Sequence, residues 1–249
     1  MTSAAYSPVA LITGAARRIG ATICETLHSE GFNVVVHCRH STAAAEALEQ
    51  KLNQRRPQSV RILQADLDDH AQIQQLALAA VATWGRLDAL VNNASSFFPT
   101  PLETATPEQW DNLINSNLRA PFFLSRELHK ELRRNRGCII NISDIFGMRP
   151  MPGYSIYSIA KAGNIMLTQS LALELAPEVR VNGVAPGAIL WPEDISGSEV
   201  VNPEKLQQIP LGTLGGTQAI ANTVLFLIKN APYITGQIIP VDGGRSLKQ

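Results

Sequence analysis

The feature that most constrains the fold of this chain is an alternation of short apolar runs with longer stretches of helical spacing. Residues 9–13 form the first run, after which Ile19, Ile23 and Leu27 share one helix face and Gly31 supplies the stop. Residues 34–37 are a second run, and Ala44, Ala45, Leu48 and Leu52 stripe the next helix. Residues 60–65 follow, then Ile73, Leu76, Ala77, Ala80 and Trp84 mark a helix that ends near Gly85. Residues 87–92, 138–142, 180–184 and 237–241 read as further strands, each fed by a helical stretch. Strands separated by helices run parallel, because the crossover returns over the face of the sheet and does so right-handed. The pattern predicts an α/β chain, a doubly wound parallel sheet with helices on both faces.

Residues 1–249 show no linker, repeat or low-complexity tract and read as a single domain. The one stretch without periodicity, at about 187–208, is rich in Pro, Gly and Ser. It follows a strand end, where doubly wound folds bind ligands, so it reads either as a substrate lid or as a variable surface loop. Apolar residues at 45% against 17% charged exclude a disordered chain. Twenty-one basic residues balance twenty-one acidic ones, which removes the basic footprint of a nucleic-acid binder. Cys24, Cys38 and Cys138 are scattered and lack metal-ligand spacing, so neither a disulfide framework nor a metal site is expected. The N-terminus carries no positive region and the apolar run after it is short, which argues against a signal peptide or membrane span. The expectation is a soluble, reducing, cytoplasmic setting.

The stretch Thr13-Gly14-Ala15-Ala16-Arg17-Arg18-Ile19-Gly20 leaves the first strand and opens the first helix. Glycines there let the backbone approach a pyrophosphate, and helix N-terminal amides attract its charge; a plain tight turn has the same signature. The second strand ends in His37-Cys38-Arg39-His40-Ser41. An NAD site places a carboxylate here for the ribose 2′-hydroxyl, whereas Arg39, His40 and Ser41 suit a 2′-phosphate, so NADP(H) is preferred. Asp66 is a candidate partner for an adenine amino group, and Asp68 and Asp69 read as helix N-terminal acids.

Tyr157 and Lys161 stand four apart, on one helix face. An ammonium near a phenol, together with an oxidised nicotinamide ring, is expected to lower its pKa toward the working range; a lysine beside a core tyrosine would look the same. Asn92-Asn93-Ala94-Ser95, Asn117 and Asn141-Ile142-Ser143-Asp144 add polar groups, most of them at strand ends.

Taken in order, the glycine turn at 13–20, the Asn-Asn-Ala at 92–94, the Tyr157-x-x-x-Lys161 pair, Pro186-Gly187 and the closing Gly236 with 241–244 resemble the short-chain dehydrogenase/reductase family over essentially the whole chain. Within it the chain is more similar to the pteridine reductases than to general carbonyl reductases. Arg18 in place of the middle glycine, the 92–102 stretch, the His-x-Arg-His-Ser segment and Asp144 carry that narrower likeness. The resemblance implies a Rossmann-type fold, a homotetramer and NADPH held by Gly14, Arg18, Ile19, Gly20, Arg39, His40, Ser41, Asp66, Asn93, Ala94, Lys161, Pro186 and Gly187. Most members carry serine thirteen positions before the tyrosine, where this chain has Asp144. A carboxylic acid there would relay a proton through Tyr157 to a ring nitrogen. The alternative is that Ser143 does the usual work. Phe97 would stack on a pterin, with Phe98 or Phe97 otherwise plugging the core. Arg18 would reach both pyrophosphate and pterin, Asn117 would help hold Lys161 through water, and Trp191 would close over the substrate or simply pack. The implied activity is reduction of 7,8-dihydropterins, with dihydrofolate a further candidate. A 3-oxoacyl-carrier-protein type carbonyl reductase is the nearest rival, and a non-catalytic cofactor sensor a more distant one.

Overall fold

The apolar runs become strands because β-branched and aliphatic residues pack on both faces of a pleated sheet; Val34, Val35 and Val36 are wholly buried. The structure, a computed structural model, describes residues 7–191 and 203–248 apart from the side chain of Lys205. Strands β1 (Val9–Ile12), β2 (Asn33–Cys38), β3 (Val60–Gln64), β4 (Ala89–Asn92), β5 (Cys138–Ile142), β6 (Arg180–Pro186) and β7 (Ile238–Val241) form one sheet. Its order is β3-β2-β1-β4-β5-β6-β7, with every pairing parallel. This is the Rossmann-type arrangement. Connections leave β1 and β4 in opposite directions, which opens a crevice at their carboxyl ends.

The helices are α1 (Arg18–Ser29), α2 (Thr42–Arg55), α3 (His70–Trp84), α4 (Pro107–Ile114), α5 (Ala120–Arg134), α6 (Ser155–Leu175), α7 (Glu204–Gln207) and α8 (Gly216–Lys229). Alternation along the strands sorts them into two layers. Ala10 and Ile12 join Ile23 and Leu27 of α1, Leu48 of α2 and Val224 of α8. Val9 and Leu11 join Ile73 of α3, Leu124 of α5 and Leu171 of α6. Asp69 caps α3 by accepting from the Ala71 and Gln72 amides, and Gly85 ends it at φ 71°. Strand β6 runs two residues further than its apolar pattern suggests, because Ala185 and Pro186 still face Pro240 and Val241 of β7. The irregular stretch contains the single turn α7; its residues 192–202 lie outside the described residues.

A chain of buried amides ties the layers to the strand ends. Asn92 Nδ2 donates to Asn141 Oδ1 (2.8 Å), and Asn141 Nδ2 donates to Thr168 Oγ1 (2.8 Å). Thr168 donates to the Asn164 carbonyl (2.9 Å), and Asn164 Nδ2 donates to the Asn117 carbonyl (3.0 Å). That last carbonyl is available for a sequence reason. Pro121, four residues on, has no N–H to give it, and the helix widens into a π turn over Asn115–Arg119. Asn141→Ala would take from Asn92 its short bond, leaving the long one to Ser125 Oγ (3.4 Å), and from Thr168 Oγ1 its donor. We expect it to lower the unfolding free energy by about 1–3 kcal/mol, read by urea denaturation; an unchanged midpoint would mean the chain of amides is not a structural support.

Candidate active site

A cleft of about 490 Å³ lies where the first glycine turn, β2 and the end of β4 converge. Gly14 sits at φ 59°, and a Cβ there would come within 2.8 Å of Ala94 Cα. A Cβ at Gly20 would lie 2.5 Å from the Gly14 carbonyl, so the two glycines let α1 press against the strand ends. Asn93 Nδ2 donates to the carbonyls of Thr13 (2.8 Å) and Gly14 (3.0 Å), and Thr13 Oγ1 accepts from the amides of Asn93 and Ala94. Helix α1 opens with no side-chain cap and no acid in its first turn, which leaves its positive end suited to an anion. Arg18 stands there at φ 52°, a left-handed conformation that costs a residue with a Cβ about 1–2 kcal/mol. Its Nη2 donates to the Trp191 carbonyl (3.1 Å).

His37 is buried beneath this turn, its Nδ1 accepting from the Gly14 amide (3.1 Å). Nε2 therefore carries the proton and donates to the Ala65 carbonyl (3.1 Å). Burial lowers its pKa to about 4, against smaller opposing effects of the Ala65 carbonyl and Asp66. Nearby, Arg39 Nε donates to His40 Nε2 (2.8 Å), and Arg39 Nη1 reaches Asp66 (3.5 Å) and Asp68 (3.4 Å). Arg17 Nη2 donates to Ser41 Oγ (2.9 Å). The end of β2 thus gathers two guanidiniums, an imidazole and a hydroxyl.

A second cavity of about 570 Å³ adjoins the first and shares Arg18, Ile19, Asn93 and Ser95 with it. Its walls include Phe97, Asp144, Tyr157, Lys161, Pro186, Gly187 and Trp191. Tyr157 donates to Asp144 Oδ2 (2.8 Å), while Asp144 Oδ1 accepts the Phe146 amide (2.9 Å). Lys161 Nζ donates to the Ile142 carbonyl (2.9 Å) and stands 5.6 Å from the Tyr157 ring centre. Phe97, 54% exposed, stacks on Tyr154 (4.9 Å, 14°) and meets Tyr157 edge-on (4.8 Å). Phe98 instead packs with the cluster of Leu113, Ile156 and Tyr157. Ser143 is buried and donates to the Lys161 carbonyl (3.4 Å), so the group on the Tyr157 hydroxyl is Asp144. Gly187 packs on Asp242, where a Cβ would come within 2.5 Å. The Asn117 side chain accepts from Ser95 Oγ (2.7 Å) and donates to the Ser96 and Leu113 carbonyls.

Within the protein alone the electrostatics favour a protonated phenol. Burial, reinforced by Asp144, holds the Tyr157 hydroxyl well above the ordinary phenol range, with a smaller opposing effect of Ser95. The ammonium does not prevail, because Lys161 gives its bond to Ile142 while the carboxyl oxygen lies 2.8 Å from the phenol. Burial also pushes Asp144 up, opposed by the Phe146 amide, Lys161, Tyr157 and Arg245. It brings Lys161 down to about 8, with Asp144 acting the other way. The phenol is thus held protonated, as a donor. Beyond the residues expected from the sequence, Arg17, Ser96, Ser116, Tyr154 and Arg245 also line the two cavities. Arg17 and Tyr154 had a signal, lying inside the glycine turn and one helical turn before Tyr157.

A family model described as enoyl-(acyl carrier protein) reductase matches residues 14–246. The chain belongs to the short-chain dehydrogenase/reductase family. It is accordingly an oxidoreductase that works with a nicotinamide cofactor on a small molecule. Pteridine reductase 1 of Leishmania tarentolae is 38% identical, with 99% of each chain covered. The 3-oxoacyl-[acyl-carrier-protein] reductase FabG of Staphylococcus aureus is 39% identical over 94% of this chain and 96% of its own. That of Staphylococcus epidermidis is 38% identical over 94% and 97%. No helix among the described residues is long and apolar enough to cross a membrane.

Because the folded state holds His37 neutral, its unfolded form takes up protons first on acidification. Stability is therefore full above about pH 6.5 and falls toward pH 4, by about 3 kcal/mol for this one group. Urea unfolding of the wild type and His37→Gln at a series of pH values should show a shallower acid slope in the variant; equal slopes would contradict the assignment.

Proposed function

We propose that this reductase uses NADPH to reduce pterins, converting 7,8-dihydropterins to tetrahydropterins, with dihydrofolate a further candidate. The observation that carries this reading is the carboxyl of Asp144 bonded to the Tyr157 hydroxyl, in a cavity that also presents the face of Phe97. A carbonyl oxygen needs only a phenol and a positioning hydroxyl. A ring nitrogen is better served by a phenol that can be reprotonated by an acid behind it. Phe97 offers a flat heterocycle a stacking partner, already held from behind by Tyr154. Full-length similarity to a pteridine reductase points the same way.

The cleft fits a dinucleotide. Gly14, Ile19 and Gly20 would admit the pyrophosphate at the head of α1, and Arg18 would serve both it and the substrate. Asn93, Ala94, Pro186, Gly187 and Lys161 would border the nicotinamide half. Asp66 would meet the adenine, and Arg39, His40 and Ser41, joined by Arg17, the 2′-phosphate. When bound, the nicotinamide supplies a hydride to a C=N carbon of the pterin. Tyr157 gives its proton to the ring nitrogen, Asp144 returns one to the phenol, and Lys161 offsets the negative charge that passes between them. Asn117 supports the site through the Ser95–Ser96 loop. Trp191 borders the cavity and would limit solvent access. We further propose a single reductase domain that assembles as a homotetramer, in a reducing cytoplasmic setting. Exposed Trp110, Phe122, Ile159, Met166 and Leu173 on α4–α6, and three buried unpaired cysteines, support those readings.

A second reading, reduction of a 3-oxoacyl thioester, draws on the similarity to the staphylococcal enzymes. NADPH consumption with dihydrobiopterin, dihydromonapterin, dihydrofolate and an acetoacetyl thioester separates the two. Brisk turnover of the thioester with none of any dihydropterin would reverse the assignment.

Arg39→Ala should weaken NADPH binding roughly 10- to 150-fold and leave NADH nearly unchanged, since a charged contact to phosphate contributes about 1.5–3 kcal/mol. Fluorescence titration reads both constants, and equal wild-type affinity for the two cofactors would end the NADPH preference. Asp144→Ser should lower kcat for dihydropterin by about 10- to 100-fold, the low end for an acid–base group. Phe97→Ala should raise the KM for dihydropterin roughly tenfold, the equivalent of about 1.4 kcal/mol of stacking. Steady-state kinetics with unaltered pterin turnover in Asp144→Ser would show the carboxyl to be idle.

A further inference from the structure

The C-terminal turn brings a cation into the substrate cavity. After β7, Asp242 accepts from the amides of Gly244 (2.9 Å) and Ser246 (2.7 Å) and curls the chain into a short 3-10 turn, Arg245–Leu247. Gly243 (φ 63°) and Gly244 (φ 84°) let this turn press on Ile209 and Pro210, where an added Cβ would come within 2.7 and 3.0 Å. The turn therefore braces the residues that directly follow the irregular stretch. Arg245 lines the cavity with Asp144 and Phe146. Its guanidinium carbon lies 5.4 Å from the centre of the Phe146 ring, and its Nη2 donates to Gln208 Oε1 (3.2 Å). Phe146 in turn gives its amide to Asp144 Oδ1 (2.9 Å), on the carboxyl that holds the Tyr157 hydroxyl.

We propose that Arg245 is a positioning residue for the Asp144–Tyr157 pair, steadying the Phe146 turn and supplying positive potential to the carboxyl. The inference rests on the proton-relay reading of Asp144. The groups that face Asp144 are Tyr157 and Lys161 from α6, the Phe146 amide from its own turn, and Arg245 from the C-terminal turn. Among the described residues, no carboxylate lies within ion-pair distance of Arg245. Burial brings Lys161 to about 8, so its charge is lost as pH rises through that value. A guanidinium keeps its charge throughout. In the alkaline range Arg245 is the cation that still acts on the carboxyl.

The sign follows from the role. Protonated Asp144 is the proton source, so turnover holds below its pKa and falls as pH rises through it. Removing a nearby cation raises the proton affinity of the carboxyl and moves that falling limb to higher pH. The test is the pH dependence of kcat with NADPH and dihydrobiopterin for the wild type, Arg245→Gln, Arg245→Lys and Asp144→Asn. Arg245→Gln should move the limb up by about one pH unit, and Arg245→Lys should restore most of it. The KM for NADPH should stay within about twofold, because Arg245 lines the substrate cavity and not the dinucleotide cleft. A limb that disappears in Asp144→Asn yet stays in place in Arg245→Gln overturns the role of Arg245 and leaves the relay standing. A uniform loss of kcat at every pH, with a lowered Tm and an unmoved limb, makes Arg245 a fold-stabilising residue only and also overturns it. A limb that stays at its wild-type position in Asp144→Asn removes the relay itself, and the inference with it.

Discussion

The site depends on one buried chain of side-chain amides and hydroxyls, from Asn92 through Asn141, Thr168 and Asn164 to the backbone of Asn117. Each link satisfies a polar group that would otherwise cost free energy in a dry interior. The chain crosses from the ends of β4 and β5 to the middle of α6, the helix that carries Tyr157 and Lys161. It then reaches the π turn, whose Asn117 side chain holds the Ser95–Ser96 loop that leads into Phe97. Strand ends, the helix of Tyr157 and Lys161 and the loop before Phe97 are thereby locked to one another by directional bonds, where apolar packing alone would tolerate sliding.

Burial sets the chemistry as much as position does. Tyr157, Asp144 and Lys161 all sit where water is scarce, and each is displaced toward its neutral form. A phenol held protonated against a carboxyl of raised proton affinity is arranged to give protons away. The same two side chains in water would be a carboxylate and an indifferent phenol. Strain is tolerated nearby for a related reason. Arg18 adopts the left-handed conformation that glycine ordinarily fills, and the surrounding bonds hold a guanidinium at the junction of the two cavities.

Family membership leaves the substrate to a few side chains, since relatives of similar identity carry different names. In the reading proposed above, position 144 bears most of that weight. A serine there would leave Tyr157 without an acid behind it, and the aspartate makes a proton path to a nitrogen base chemically reasonable.

Much of the architecture was legible in the sequence. Apolar runs alternating with helical stripes specify parallel strands and crossovers, because hydrophobic periodicity is a local property that each segment carries by itself. The glycine turn, the Tyr157/Lys161 spacing and the missing acid after β2 were legible for the same reason. What only the tertiary structure decided are relations between segments far apart in the chain. Asn164 meeting the carbonyl that Pro121 leaves free, Arg17 meeting Ser41, and Arg245 arriving over Phe146 are contacts with no local signature. The direction of the Tyr157 shift belongs with them. An i, i+4 ammonium argues for a lowered phenol pKa, but the balance turns on how much water is excluded and which charge lies nearest. Those quantities exist only once the chain has folded.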